Sequence, residues 1–435
     1  MRILAITNLY PPHHAGSFDL RCQSVVDSLR KRGHVVRVLT SNHGAGTEQR
    51  DEEIERRLIL NGVFEHAEVS GFMNLRGLET RNHALLRESV ADFKPDLVHV
   101  WSLHGLSKSL IFTLRELALP TVFDVADDWM AAGIRLDPWL SWWNSPSAPP
   151  PSQLWRRYLE LTGQRSKIDV VTPTRMLRGY DRIPDVYGPP ETLAAVPPNS
   201  VLAFRFDHVY FCSRSLKERT ERAGFQVQHG SIIYPGVHAE LFAGVLRSQS
   251  APVNKLLIVT PLTSRSGVKT AFEALRLVRQ SKVPVTLSVY GRGESEYIAQ
   301  LRSFVVTHQL PVEFLTVSNL NRDLAAIYRQ HDVFLYTSES DEPFAPTLLE
   351  AMASGMPVIA ASSGGAVELL RDGENAFTYK PGDASDLATR IAELQIQPIL
   401  RCQVAENAQE EVLSKFTETN MADQIEAFLE ESRQG

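Results

Sequence analysis

Cysteine is scarce in this chain: Cys22, Cys212 and Cys402 are three residues in 435, odd in number and far apart. That pattern argues against a disulfide framework or a thiolate zinc site and suggests a reducing compartment. Long apolar runs are missing too. No stretch of roughly 18 apolar residues occurs, so any membrane contact is expected to be peripheral. The opening MRILAITNLYPP holds an apolar run of only about six residues, too short for a signal-peptide core and suited to a buried strand. The expected location is cytoplasmic, with peripheral contact at the inner face of a membrane left open. An excess of positive charge is also absent: 45 Lys and Arg against 51 Asp and Glu give a net charge of −6, which argues against a dedicated nucleic-acid binder. The turn at Gly291 and Gly293 lacks the third glycine of a dinucleotide fingerprint. His13 and His14 are adjacent, so they diverge and make a poor metal pair, and no metal or cofactor is expected.

What is present is ordinary globular material, 43% hydrophobic and 22% charged, in a chain long enough that two domains are expected. Arg2–Thr7 reads as a strand, residues 8–16 (NLYPPHHAG) as a punctuated loop, and Ser17 as the cap of a helix with apolar spacing up to Gly33. His34–Thr40 (HVVRVLT) returns as a parallel strand. The mixed charges of residues 47–57 (TEQRDEEIERR) predict a solvated loop or helix face. Residues 96–101 (DLVHVW) predict a buried strand containing His99 as a core histidine, with a helix over 103–117 and His104 at the strand end, able to face a cleft. Residues 121–125 (TVFDV), 169–173 (DVVTP) and 207–212 (DHVYFC) predict further strands.

Five of the six tryptophans, Trp129, Trp139, Trp142, Trp143 and Trp155, gather beside the proline run SPSAPPPS. The prolines predict an irregular excursion over a cleft. Its aromatics could stack on the apolar face of a bound ring, form a satellite core or, less favoured, touch a membrane. A polar linker near residues 243–254 precedes a second set of strands and helices opening at 255–260 (KLLIVT).

The stretch from Tyr336 to Gly365 is the densest in signals. A short apolar strand, 332–336, runs into TSESDEPFAPTLLEAMASGMPVIAASSGG. Pro346 suits the first position of a helix, which would leave the N–H groups of Thr347 and Leu348 free to meet an anion. Gly355 and Pro357 stop that helix. Glu342 precedes it and Glu350 lies about one turn inside, an E-x7-E spacing that suits a phosphate flanked by hydroxyl-bearing groups.

EPFAPTLLEAMASGMPVIA, followed by SSGGAVELLRDGENAF and PGD, closely resembles the donor segment of retaining glycosyltransferases of family 4, and YPPHHAG with RGHVVRVLT resembles their opening. The resemblance implies the GT-B fold, two Rossmann-like domains with parallel sheets facing a central cleft. It places the acceptor domain at 1–236, with a C-terminal helix at 415–435 crossing back onto it, and the donor domain at 237–414. It implies a nucleotide-diphosphate sugar donor and a sugar, lipid or small-molecule acceptor, with no nucleic acid and no metal. Glu342 would hold donor-sugar hydroxyls and Glu350 the ribose. Gly16 and Thr347 would meet the phosphates, and Gly291, Phe344, Ala345, Pro346 and Leu349 would complete the donor pocket. Asp127 or His104 would orient the acceptor.

The chain also departs from the family pattern. Ala126 stands where the family has a histidine before its aspartate, and Pro261 and Ser266 replace an arginine and a lysine that meet the diphosphate. Arg265 is the nearest substitute cation, with Lys269 and Arg292 as helpers. These departures motivate an alternative, a catalytically weak or partner-dependent GT-B protein that binds a nucleotide sugar without efficient transfer. A nucleotide-sugar epimerase and an NAD enzyme fit the motifs less well.

Overall fold

The computed structural model describes the chain apart from residues 46–47, 131–136, 140–141, 143–148, 163–205, 223–226, 247, 250–251, 281–283, 316–319 and 435. Two compact units result, Met1–Ile233 with Ala422–Gly435, and Tyr234–Met421.

The first unit is built on β1 (Arg2–Thr7), β2 (Val35–Ser41), β3 (Gln49–Arg50), β4 (Ile54–Leu58), β5 (Leu97–Ser102), β6 (Thr121–Val125), β7 (Phe206–Phe211) and β8 (Val227–Ile232). They lie in the order β3-β4-β2-β1-β5-β6-β7-β8. Only β3 runs antiparallel to its neighbour, β4. Strands covered on both faces are largely apolar, which is why β1 appears in the sequence as a short apolar run and β5 is buried at every position, including His99.

The second unit carries β9 (Lys255–Val259), β10 (Thr286–Tyr290), β11 (Val312–Leu315), β12 (Val333–Tyr336), β13 (Val358–Ala361) and β14 (Phe377–Tyr379). All pairings among them are parallel, in the order β11-β10-β9-β12-β13-β14. This is the doubly wound order, and it reverses between β9 and β12. In the first sheet the reversal falls between β1 and β5. Ligands of such sheets bind outside the carboxyl ends of the strands at the reversal, which singles out the loops after β1, β5, β9 and β12.

Several sequence expectations are corrected. Within residues 48–57 the exposed stretch 48–53 fits the expected solvated segment, but the segment is a paired ribbon and not a loop or helix face: β3 pairs with β4, Glu55 is fully buried against Arg37, and Arg56 is buried with its guanidinium donating to the carbonyls of Tyr10 and Pro11. Ser17 is the first residue of the Ser17–Lys31 helix and makes no cap; the Asp19 carboxylate instead accepts from the N–H groups of Ala15 and Gly16. The helix after β5 begins only at Leu110, because residues 103–109 form turns. The end of the proline run starts a helix, Pro150–Leu161, since proline is tolerated in a first helical turn.

Among the tryptophans, Trp139 and Trp142 pack with Phe72, Leu75 and Leu159 in a satellite core, and Trp129 is buried with its indole N–H donating to the Asp124 carbonyl. Trp155 is 42% exposed. Trp143 and the strand expected at 169–173 lie outside the described residues. The C-terminal helical region is two helices, Pro398–Lys415 and Glu418–Gln434. Residues of the last one join the first unit, where Glu426 Oε1 lies 2.6 Å from His34 Nε2 and Phe428 packs edge-on against Tyr210. No described helix is long and apolar enough to cross a membrane.

Candidate functional site

In the second unit the loops after β9 and β12 are sewn together at the sheet reversal. Thr337 Oγ1 donates to the Ser266 carbonyl at 2.7 Å, and the Glu339 N–H donates to the Arg265 carbonyl at 3.0 Å. Gly267, at φ +69°, lies so close that a Cβ there would sit 1.8 Å from the Thr337 carbonyl oxygen. Glycine is therefore required for the close approach.

Glu342 emerges from this junction with both carboxylate oxygens held. Ser338 Oγ donates to Oε1 at 2.8 Å and Tyr336 Oη to Oε2 at 3.2 Å. Its backbone is gripped as well: the Gly365 N–H donates to the Glu342 carbonyl at 2.8 Å, and Gly364, at φ +54°, passes so near that a Cβ would meet that oxygen at 2.4 Å. The Pro346–Ala353 helix follows, with Ala345 as an N-cap that offers no side-chain acceptor. The Leu348 N–H donates to the Ala345 carbonyl at 3.0 Å, so of the two N–H groups expected to be free only that of Thr347 remains open. Glu350 accepts from Tyr328 Oη at 2.8 Å, and burial pushes its carboxyl up to about 7 despite that bond. Phe344 and Ala345 are buried, Pro346 and Thr347 half-buried, and the Leu349 side chain is fully buried in the core, leaving only its backbone for a ligand.

The cations of this region are free. Arg265, Lys269 and Arg292 are exposed, and their side chains have no partner among the described residues. Pro261 is exposed, while Ser266 is buried with its hydroxyl donating to the Thr263 carbonyl at 2.7 Å. Gly291 has a packing reason of its own: a Cβ would meet the Thr260 carbonyl oxygen at 1.8 Å.

In the first unit the reversal loops carry Gly16 and His104. Gly16 is extended, and a Cβ built there meets nothing within 4 Å, so backbone and open space adjoin at the helix start. His104 stands at the end of β5 with part of its ring exposed; desolvation of the rest and Lys108 hold its imidazole below the usual range, against the pull of Asp127. Asp127, after β6, accepts the Trp129 N–H at 2.7 Å; desolvation raises its carboxyl against that bond and against His104 and Lys108. His99, by contrast, is a core residue: it bonds Tyr210 Oη at 2.8 Å and is pushed down to about 3 by burial.

Sequence reasoning missed the supporting residues. Tyr336 and Ser338 sit only six and four residues before Glu342, a local signal that was available. Tyr328 lies on a different helix from Glu350 and gave none. Lys108 is buried beneath His104, its ammonium donating to the carbonyls of Leu103 at 2.8 Å and Leu106 at 3.2 Å, and reads in sequence as an ordinary surface lysine.

Residues 248–411 match the model for glycosyl transferases group 1, and residues 20–198 match that for a glycosyl transferase 4-like domain. Over 169 residues the chain is 30% identical to a sulfoquinovosyl transferase of Arabidopsis thaliana, covering 37% of this chain and 32% of that one. Over 214 residues it is 27% identical to a glycogen synthase of Mycobacterium tuberculosis, covering 48% and 50%. These matches span about a third to a half of the length of those curated relatives. Solved structures are similar over almost the whole chain: the Anabaena HepE protein in complex with UDP and glucose (TM-score 0.67, 20% identity, 99% of this chain and 100% of that) and a glycosyltransferase from Rickettsia africae (TM-score 0.66, 16% identity, 99% and 98%). At such identities they establish the fold, which is GT-B. With both domain models matched in order along one chain of that fold, the protein belongs to the family 4 (group 1) glycosyltransferases.

Proposed function

We propose that the protein transfers a glycosyl group from a nucleotide-diphosphate sugar to an acceptor hydroxyl, with retention at the anomeric carbon. The observation that carries this reading is Glu342: a carboxylate fixed through both oxygens at the carboxyl end of β12, at the reversal of a doubly wound sheet, just before an open helix N-terminus. Glu342 holds hydroxyls of the donor sugar, and Glu350, eight residues on, accepts from the ribose. Phe344, Ala345, Pro346, Leu349 and Gly291 shape the donor site.

The leaving diphosphate brings negative charge that grows in the transition state, and preorganised donors there contribute about 3 kcal/mol each. The Thr347 N–H and the unpaired Arg265, Lys269 and Arg292 supply them, in place of the family's two cations and without calling on a metal. Gly16 leaves room for the phosphates beside backbone, and Asp127 or His104 orients the acceptor. No side chain is assigned as a nucleophile, because same-face attack lets the leaving phosphate take the acceptor proton. The Anabaena neighbour, solved with UDP and glucose, supports a nucleoside diphosphate as the leaving group. A lipid-linked acceptor would suit the exposed stripe of Leu154, Trp155, Tyr158 and Leu161 on the Pro150–Leu161 helix, beside Arg156 and Arg157.

The test is calorimetric titration with uridine, guanosine and adenosine diphosphate sugars without added metal. One donor is expected to bind, with affinity lost in Glu342→Ala and reduced in Arg265→Ala. No binding across the panel, or binding indifferent to Glu342, overturns the reading.

A further inference from the structure

The loop after β4 takes a path that non-glycine residues avoid. Phe64 has φ +50° and Glu65 φ +67°, two successive left-handed residues. Such conformations are strained for residues with a Cβ and persist only where surrounding structure over-determines them. The surroundings here do so. The Asn61 N–H donates to the Gly105 carbonyl at 3.0 Å, and Asn61 Oδ1 accepts from the Val69 N–H at 2.6 Å. Val63 lies so tightly on Gly105 that a Cβ there would meet it at 2.2 Å.

This path brings four rings together. Phe64 stands edge-on to His104 with centroids 5.7 Å apart, and 6.0 Å from His43. His43 Nδ1 lies 3.2 Å from His66 Nε2. The rings come from the loops after β2, β4 and β5, on the edge where His104 senses Asp127. Phe64, His43 and His66 are half-buried and His104 exposed, so the arc is accessible.

Its chemistry selects against an anion. His66 and His104 are both held below the usual imidazole range, chiefly by partial desolvation, which disfavours their cationic forms. The neighbouring cations are committed to backbone carbonyls, Lys108 to Leu103 and Leu106, and Arg56 to Tyr10 and Pro11. A neutral imidazole presents one donor and one acceptor, which is what a hydroxyl group requires, and a phenyl ring offers an apolar face to C–H groups.

We propose that Phe64, His43, His66 and His104 form an acceptor-recognition surface for an uncharged pyranose ring, with Phe64 against the ring's C–H groups and the imidazoles reading its hydroxyls. This rests on the glycosyl-transfer reading and names the acceptor class for it.

The experiment uses saturation-transfer NMR on the full-length protein, with whichever of UDP, GDP or ADP binds held at saturation. The probes are methyl α-glucopyranoside, methyl α-mannopyranoside and methyl β-galactopyranoside, compared with glucuronate and glucose 6-phosphate. At least one neutral pyranoside is expected to bind more tightly than either anionic sugar. Its affinity should fall roughly fivefold or more in Phe64→Ala and be retained in Phe64→Tyr, with nucleotide affinity and melting temperature unchanged. Should Phe64→Ala not fold, His104→Ala, which alters only an exposed ring, carries the same test. Tighter binding of the anionic sugars, unchanged pyranoside affinity in the variants, or no pyranoside signal while the nucleotide binds overturns the acceptor surface. Failure of all three nucleotides to bind overturns the functional reading beneath it.

Discussion

Arg21 and Asp124 meet as a buried ion pair, with Arg21 Nη2 2.6 Å from one carboxylate oxygen of Asp124 and 2.7 Å from the other. Arg21 stands on the helix that starts beside Gly16, and Asp124 lies three residues before Asp127, so the pair ties the helix after the β1 loop to the end of β6. Phe18 and Trp101 pack on the guanidinium, with ring centroids 5.1 and 5.2 Å away. Removing one member of a buried pair leaves the other charge uncompensated, which typically costs about 3–5 kcal/mol. Asp124→Asn should therefore destabilise the protein by about that amount in urea unfolding, and the double variant Arg21→Met with Asp124→Leu by clearly less.

Ser338 and Tyr336 should matter to turnover through Glu342 alone. Each hydroxyl contributes about 1 kcal/mol of carboxylate positioning, so Ser338→Ala and Tyr336→Phe should each lower kcat by roughly five- to tenfold. Glu342→Gln should lower it much further. Steady-state kinetics on the donor identified by titration checks this, and a Ser338→Ala enzyme with unchanged kcat would contradict it.

Glu350 predicts two pH effects of opposite sign. Its carboxyl, near 4.5 when unperturbed, stands at about 7 in the fold. Between those values the folded protein holds a proton that the unfolded chain releases, so this residue's stabilising contribution is present below about 4.5 and is lost as pH rises to about 7. Glu350→Gln should flatten that part of the stability profile. On the proposed reading the Glu350 carboxylate accepts from the ribose, so nucleotide binding should instead strengthen as pH rises through about 7. Tyr328→Phe removes the one hydrogen bond that favours the charged form and should move the binding transition to higher pH. Calorimetry from pH 5.5 to 9 measures both.

Lys108 supports the turn that carries His104. Lys108→Met leaves two buried carbonyls, of Leu103 and Leu106, without their donor. A loss of about 2–3 kcal/mol in stability is expected, since hydrogen bonds to charged groups contribute that much. Transfer to acceptor should weaken while the nucleotide dissociation constant stays the same, because Glu342, Glu350 and the Thr347 N–H lie in the other unit and the Lys108 ammonium bonds the turn after β5.

Gly364→Ala should disable the donor site while sparing the first unit. A methyl group at φ +54° would be strained and would strike the backbone of Glu342, at 2.4 Å from its oxygen and 2.6 Å from its nitrogen. Nucleotide-sugar affinity should drop by an order of magnitude or more, read by titration, with the first unit's hydrogen-exchange protection unchanged.

The sequence by itself determined the local elements and the motif at their junction. Apolar runs such as LLIV and VFLY specify buried parallel strands, and Pro346 followed by Gly355 brackets the helix, because those signals depend on residues a few positions apart. The pairing of Glu342 with a helix N-terminus was legible for the same reason. Only the tertiary structure decided which strands lie side by side, and so which loops meet at each reversal. It also made a paired ribbon of the charged residues 49–57, because Glu55 is buried against Arg37 and Arg56 finds carbonyl acceptors on the loop after β1, far from it in the chain. The same holds for Tyr328 on Glu350 and the ring arc around Phe64. Each depends on contacts between distant segments, which composition and spacing do not encode and which form only when parallel strands, joined through long crossovers, bring their carboxyl ends to one edge.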